Sequence, residues 1–76
     1  MENTQIFDGI TVQKNVRFGK PVIKGTRVPV DVVVGKIAGG MNIEEIMADY
    51  NLTVEQVRAA LRYAAYLVAE EELSLA

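Results

Sequence analysis

Residues 19–30 read GKPVIKGTRVPV and hold two glycines, two lysines, an arginine and a threonine, the residue types that grip phosphate. Their order is wrong for that task. A phosphate loop runs G-x-x-x-x-G-K-[ST], whereas here the stretch is G-K-P-V-I-K-G-T and no lysine follows the second glycine. A proline and a β-prone run come next, where a phosphate loop needs the N-terminus of a helix. Nucleotide binding is therefore not expected. Gly25, Thr26 and Arg27 read instead as structural residues, with Gly25 at a turn or bulge. Arg27 is expected to tie a strand to the helical half, because its planar fork binds a carboxylate such as Asp31 or Glu45 bidentately.

Other reactive groups are few. The chain has no histidine and no cysteine, which removes the commonest general acid–base and the commonest soft metal ligands together. Asp31, Glu44, Glu45 and Asp49 are the carboxylates near the middle of the chain. Glu45 and Asp49 are four apart and share a helix face, but helix caps and a solvated surface account for them more simply than a metal or acid–base pair. No catalytic residues, cofactor or metal are expected. The remaining constellation is Thr53, Glu55, Gln56, Arg58 and Arg62. On the outer face of a helix, glutamine can read adenine, and arginine can read guanine or hold phosphate. Two basic residues are few for that purpose, so Lys24, and Lys20 and Arg27 if they lie on the same side, would have to add phosphate contacts.

These side chains need elements to carry them. QIFDGITV sets Asp8-Gly9 between β-prone triplets, a hairpin signal of the type I′ kind in which both turn residues take positive φ. Phe18 and Val22-Ile23 flank a Gly-Lys-Pro turn, and Val28 falls in a last short strand that Pro29 must end. From Val30 the period changes: Val30, Val33, Val34, Ile37 and Ala38 share one helix face, closed by Gly39-Gly40. Asp31 and Lys36 suit the dipole of that helix. Asn42 and Glu45 form a capping box for a short helix over about residues 43–49, with Ile43, Ile46 and Met47 as its apolar face. A turn at 50–52 follows. Thr53 and Gln56 form a second capping box, and Val54, Val57, Leu61, Ala64 and Val68 make the stripe of the third helix, flanked by Ala60 and Leu67. Glu70–Glu72 oppose the helix dipole, so this helix should loosen between 69 and 74. The layout is two or three short strands and then three helices of about 9, 8 and 18 residues, the last two in helix-turn-helix order.

The 76 residues are expected to form one domain, with strands and turns over 1–29, the three-helix unit over 30–72 and a tail over 73–76. Half of them are hydrophobic, more than so small a core can hide, and the strand edges need cover, so a homodimer is expected. No leader is apparent at Met1-Glu2-Asn3-Thr4, and the apolar run at Val32–Val34 is far too short to span a bilayer, so a cytoplasmic protein without membrane contact is expected. The net charge is −2, unevenly placed: six basic against three acidic residues over 1–36, and two against seven over 37–76. A basic front and an acidic back can meet different partners.

The stretch from Gly19 to Ala65 resembles domain-of-unknown-function family 433, a set of small prokaryotic proteins. The matching positions are Gly19, Pro21, Ile23, Gly25, Thr26, Arg27, Val28 and Val30, then Gly40, Glu44, Glu45, Ile46 and Tyr50. Leu52, Thr53, Glu55, Val57, Ala60, Leu61 and Tyr63 complete them. The resemblance spans roughly residues 10–65 and implies a mostly α, homeodomain-like tri-helical bundle of the helix-turn-helix kind behind the N-terminal strands. It further implies an antitoxin similar to the VapB type, which binds its own operator DNA and a PIN-like ribonuclease toxin. No catalytic residues come with it. The DNA-contacting residues would then be Thr53, Gln56, Arg58, Arg62 and Lys24. The alternative is a protein-interaction module without DNA binding.

Overall fold

A computed structural model describes residues 3–15 and 19–71. The expectations for Phe18, Glu72 and the 73–76 tail fall outside them. Strands β1 (Asn3–Phe7), β2 (Ile10–Gln13) and β3 (Pro21–Ile23) form one antiparallel sheet in the order β1-β2-β3. Asp8-Gly9 does join the first two, but not as a type I′ turn. Gly9 has φ 86°, while Asp8 stays out of the left-handed region. Phe7 still pairs with Ile10 because the register shifts between Gln5 and Phe7, and this bulge supplies the twist the turn lacks. Gly9 is also needed for space: a Cβ there would stand 2.8 Å from the Cβ of Ala59. Thr11, on the central strand, is buried, and its hydroxyl has no hydrogen-bond partner among the described residues.

After β3 the chain turns through Gly25, at φ 80°. The Thr26 hydroxyl locks the turn, donating to the Ile23 carbonyl at 2.7 Å and accepting from the Val28 N–H at 3.0 Å. Val28 does not enter a strand. The return path makes only one isolated bridge, Val22 to Pro29, because Pro29 has no N–H with which to extend a ladder.

Pro29 is the N-cap of α1 (Val30–Ala38). Val30 and Val33 are buried and Val34 and Ile37 half-buried, whereas Ala38 is exposed. Gly40, not Gly39, takes the left-handed conformation, at φ 107°. Its N–H donates to the Ile37 carbonyl, and that of Met41 to the Lys36 carbonyl, which is the Schellman pattern of helix closure. The helix α2 (Ile43–Tyr50) starts at the Asn42–Glu45 capping box and stops at Asn51, left-handed at φ 56° and ψ 51°. The helix α3 (Val54–Glu70) starts at the Thr53–Gln56 capping box, and Glu71 caps its end in an extended conformation.

The buried core joins all three layers through Ile10 and Ile23 of the sheet, Val33, Ile46, and Val57, Ala60 and Tyr63 of α3. The stripe on α3 is rotated and shorter than its periodicity suggests. Ala59 and Tyr63 are buried, while Val54, Leu67 and Val68 are 40%, 45% and 69% exposed. The hairpin turn at Gly9 reaches over to Ala59 and draws that flank inward. Nothing among the described residues covers the last two turns of α3 to the same depth.

Candidate nucleic-acid interface

Two capped helices joined by a tight turn set the geometry of the site. The left-handed Asn51 reverses the chain, Leu52 sinks into the core, and Thr53 opens α3. Asparagine tolerates that conformation because its short side chain can bond locally.

Of the five candidate DNA-contacting residues, three are already engaged, Thr53 and Gln56 with each other and Arg62 with Glu55. Thr53 Oγ1 accepts from the Gln56 N–H at 3.1 Å, and Gln56 Oε1 accepts from the Thr53 N–H at 2.8 Å. A bidentate contact to adenine uses both the oxygen and the amide of glutamine, so the cap occupies one lone pair of the oxygen it needs. Arg62 is exposed, and its Nη2 donates to Glu55 Oε2 at 2.7 Å. Arg58 is exposed and makes no ion pair among the described residues. Lys24 has an exposed side chain, and its main-chain N–H donates to the Gly9 carbonyl at 2.8 Å, which ties the turn after β3 to the hairpin.

Arg27 differs from its sequence reading. It is exposed and meets no carboxylate among the described residues. Glu45 is spent on the capping box, and Asp31 pairs with Lys20 Nζ at 3.0 Å. Arg27 instead lines a shallow groove of about 720 Å³ between the 25–28 turn and the start of α3, together with Gln13, Tyr50, Asn51 and Gln56. Lys20 is elsewhere. With Asp31 it borders a second groove, of about 400 Å³, between α1 and the far half of α3. Lys20 and Arg27 thus line different grooves. Neither groove was read from the sequence, since each joins segments more than 20 residues apart. No cluster of three or more metal-ligating side chains occurs among the described residues, and no helix there is long and apolar enough to cross a membrane.

A small antiparallel sheet feeding three helices, the last two in helix-turn-helix order, defines a mostly α protein. The chain belongs to the family described as "Protein of unknown function (DUF433)", whose pattern it matches over residues 10–64, from β2 through most of α3. It is 36% identical over 56 residues to the uncharacterized protein y4eO of Sinorhizobium fredii, a match covering 72% of this chain and 25% of that protein. It also resembles the crystal structure of Rv2018 from Mycobacterium tuberculosis, with a TM-score of 0.62 and 31% identity over 68% of this chain and 24% of that one. The chain spans about a quarter of the length of both relatives.

Proposed function

We propose that this chain is a non-enzymatic, operator-binding protein of the antitoxin kind, with the N-terminal half of α3 as its DNA-contacting element. The observation that carries the reading is the α2–α3 joint. It is locked by the left-handed Asn51, the Thr53–Gln56 capping box and a buried Leu52, while Arg58 and Arg62 stand exposed on the helix it positions. Arg27, at the groove beside Gln56, adds a third cation from a separate segment. Three phosphate contacts give a salt slope of about −3 in log K against log salt. The test is fluorescence anisotropy with the promoter DNA of the chain's own gene at rising salt. Arg58→Ala and Arg27→Ala should each weaken binding and lower the slope by about 1. No binding at low salt overturns the DNA reading.

The second partner, a PIN-like ribonuclease, enters only through the resemblance of residues 19–65. Co-expression with a neighbouring nuclease gene tests it, and failure to co-purify removes it. A homodimer joined along β1 is part of the same proposal, since β1 is the edge of the sheet that no described element pairs. Sedimentation showing only monomer at micromolar concentration overturns that part. One observation favours a protein-interaction module without DNA binding: Glu55 offsets one of the two arginines on α3. Retained partner binding with no DNA binding at any salt decides for that module.

A further inference from the structure

The second groove lies on the flank of α3 that faces α1. Its walls are Val30 and Val34 of α1 and Tyr63, Ala64, Leu67 and Val68 of α3. Leu67 and Val68 are 45% and 69% exposed, so the groove continues into an open apolar ridge. Its charge is one-sided. Lys20 and Asp31 at one rim neutralise each other. Beyond Val68, within one turn of it along the chain, come Glu70, the last residue of α3, and its cap Glu71, with no basic residue in the last turn and no ion pair to either carboxylate among the described residues. The carbonyl end of the helix adds a partial negative charge of about half a unit.

We infer that this groove docks an amphipathic helix of another polypeptide, one that presents an apolar stripe flanked by lysine or arginine. The stripe replaces water over Val34, Leu67 and Val68, and the cations meet Glu70, Glu71 and the helix end. The size fits such an occupant. From Tyr63 to Val68 the groove follows about 8 Å of α3, room for one or two turns of a helix. A second copy fits poorly on this face: an interface of two-fold symmetry would bring in another Glu70 and Glu71, adding like charge to a surface whose lining cation, Lys20, is already paired with Asp31. The inference deepens the partner half of the proposed function and rests on it only for the existence of a partner. The DNA half is independent, because Arg58 and Arg62 do not line this groove.

The test uses the whole chain and two labelled model helices of about three turns, one of leucine and lysine and one of leucine and glutamate, titrated by anisotropy. The leucine–lysine helix should bind and the leucine–glutamate helix should not. Val68→Ser and Leu67→Ser should each weaken binding about tenfold. Both side chains are exposed, so circular dichroism should show an intact fold. Glu70→Lys with Glu71→Lys should reverse the preference between the two helices. Promoter binding by Val68→Ser should equal that of the parent chain, which separates failure here from failure of the DNA reading. No binding, equal binding of both helices, or indifference to Val68→Ser overturns the inference. So does a dimer in sedimentation that Val68→Ser dissociates, which would give the groove to a second copy.

Discussion

The first half of α3 starts from a reciprocal pair of hydrogen bonds and buries Val57, Ala59, Ala60 and Tyr63; the second half has neither a side-chain cap nor a fully buried residue beyond Tyr63. Both halves are one continuous helix, and the second is the more apolar, with six of seven residues over 64–70 against six of ten over 54–63. What differs is the company. The sheet, α1 and α2 all converge on the first half, whereas the second meets α1 and Pro21 across an open groove and Phe7 at its start. A helix held at one end and bare at the other shows that helical periodicity says where a face is, not whether anything lies against it.

The sharpest way to break this comparison is at its boundary. Tyr63 and Tyr66 both lean on Phe7, with ring centroids at 5.3 Å and 5.1 Å, but Tyr63 is 8% exposed and Tyr66 47%. Tyr63→Ala should cost about 3–5 kcal/mol, the range for removing a buried aromatic. That is about all the stability a core of this size supplies, so the variant should be largely unfolded in circular dichroism. Tyr66→Ala should cost less than about 1.5 kcal/mol in urea melts. Equal effects would mean that the two halves are equally packed.

The next effect probes why the first half is so well covered. Gly9→Ala would place a methyl 2.8 Å from the Ala59 Cβ and force a side chain onto a backbone at φ 86°. Clash and strain together should destabilise by about 1–3 kcal/mol. Adding Ala59→Gly relieves the clash but not the strain, so the double variant should recover part of the loss beyond the roughly 1 kcal/mol that glycine costs in a helix. A fully additive double variant would show that the hairpin does not press on α3.

How much of this was legible depended on distance along the chain. The two capping boxes were readable because donor and acceptor lie three residues apart, and so were the glycine pair after α1 and the swap of period at Val30. The rotation of the α3 stripe was not, because it follows from Gly9 reaching Ala59, 50 residues away. The same reason defeated Arg27. An arginine four residues before Asp31 and 18 before Glu45 suggests a partner, but Lys20 reaches Asp31 first and the capping box takes Glu45. The type I′ reading of Asp8-Gly9 failed more locally, since a bulge in β1 can supply the same twist. The groove beside Gln56 had one readable sign, an asparagine after Tyr50 where a helix must stop.

Smaller effects compare the two ends of α3 directly. Thr53→Ala removes the acceptor for the Gln56 N–H and should cost about 1 kcal/mol. Because the joint orients the start of α3, DNA affinity should fall further than stability alone explains. A fall matched to the unfolded fraction would mean that the cap only stabilises.

At the other end the sign should invert. Glu70 is the last helical residue, with a negative charge facing the negative pole of its own helix and no cation in the last turn. Glu70→Lys replaces that repulsion with attraction and should stabilise by about 0.3–1 kcal/mol, raising the melting temperature by up to about 8 °C at low salt and less as salt screens the effect. A gain would mean that the carboxylate opposes folding where it stands, which is the behaviour of a residue kept for a partner. No gain would mean that the last turn frays and does not feel the dipole. The groove then loses one wall before any partner arrives, and the helix ends in effect near Tyr63, where its packing does.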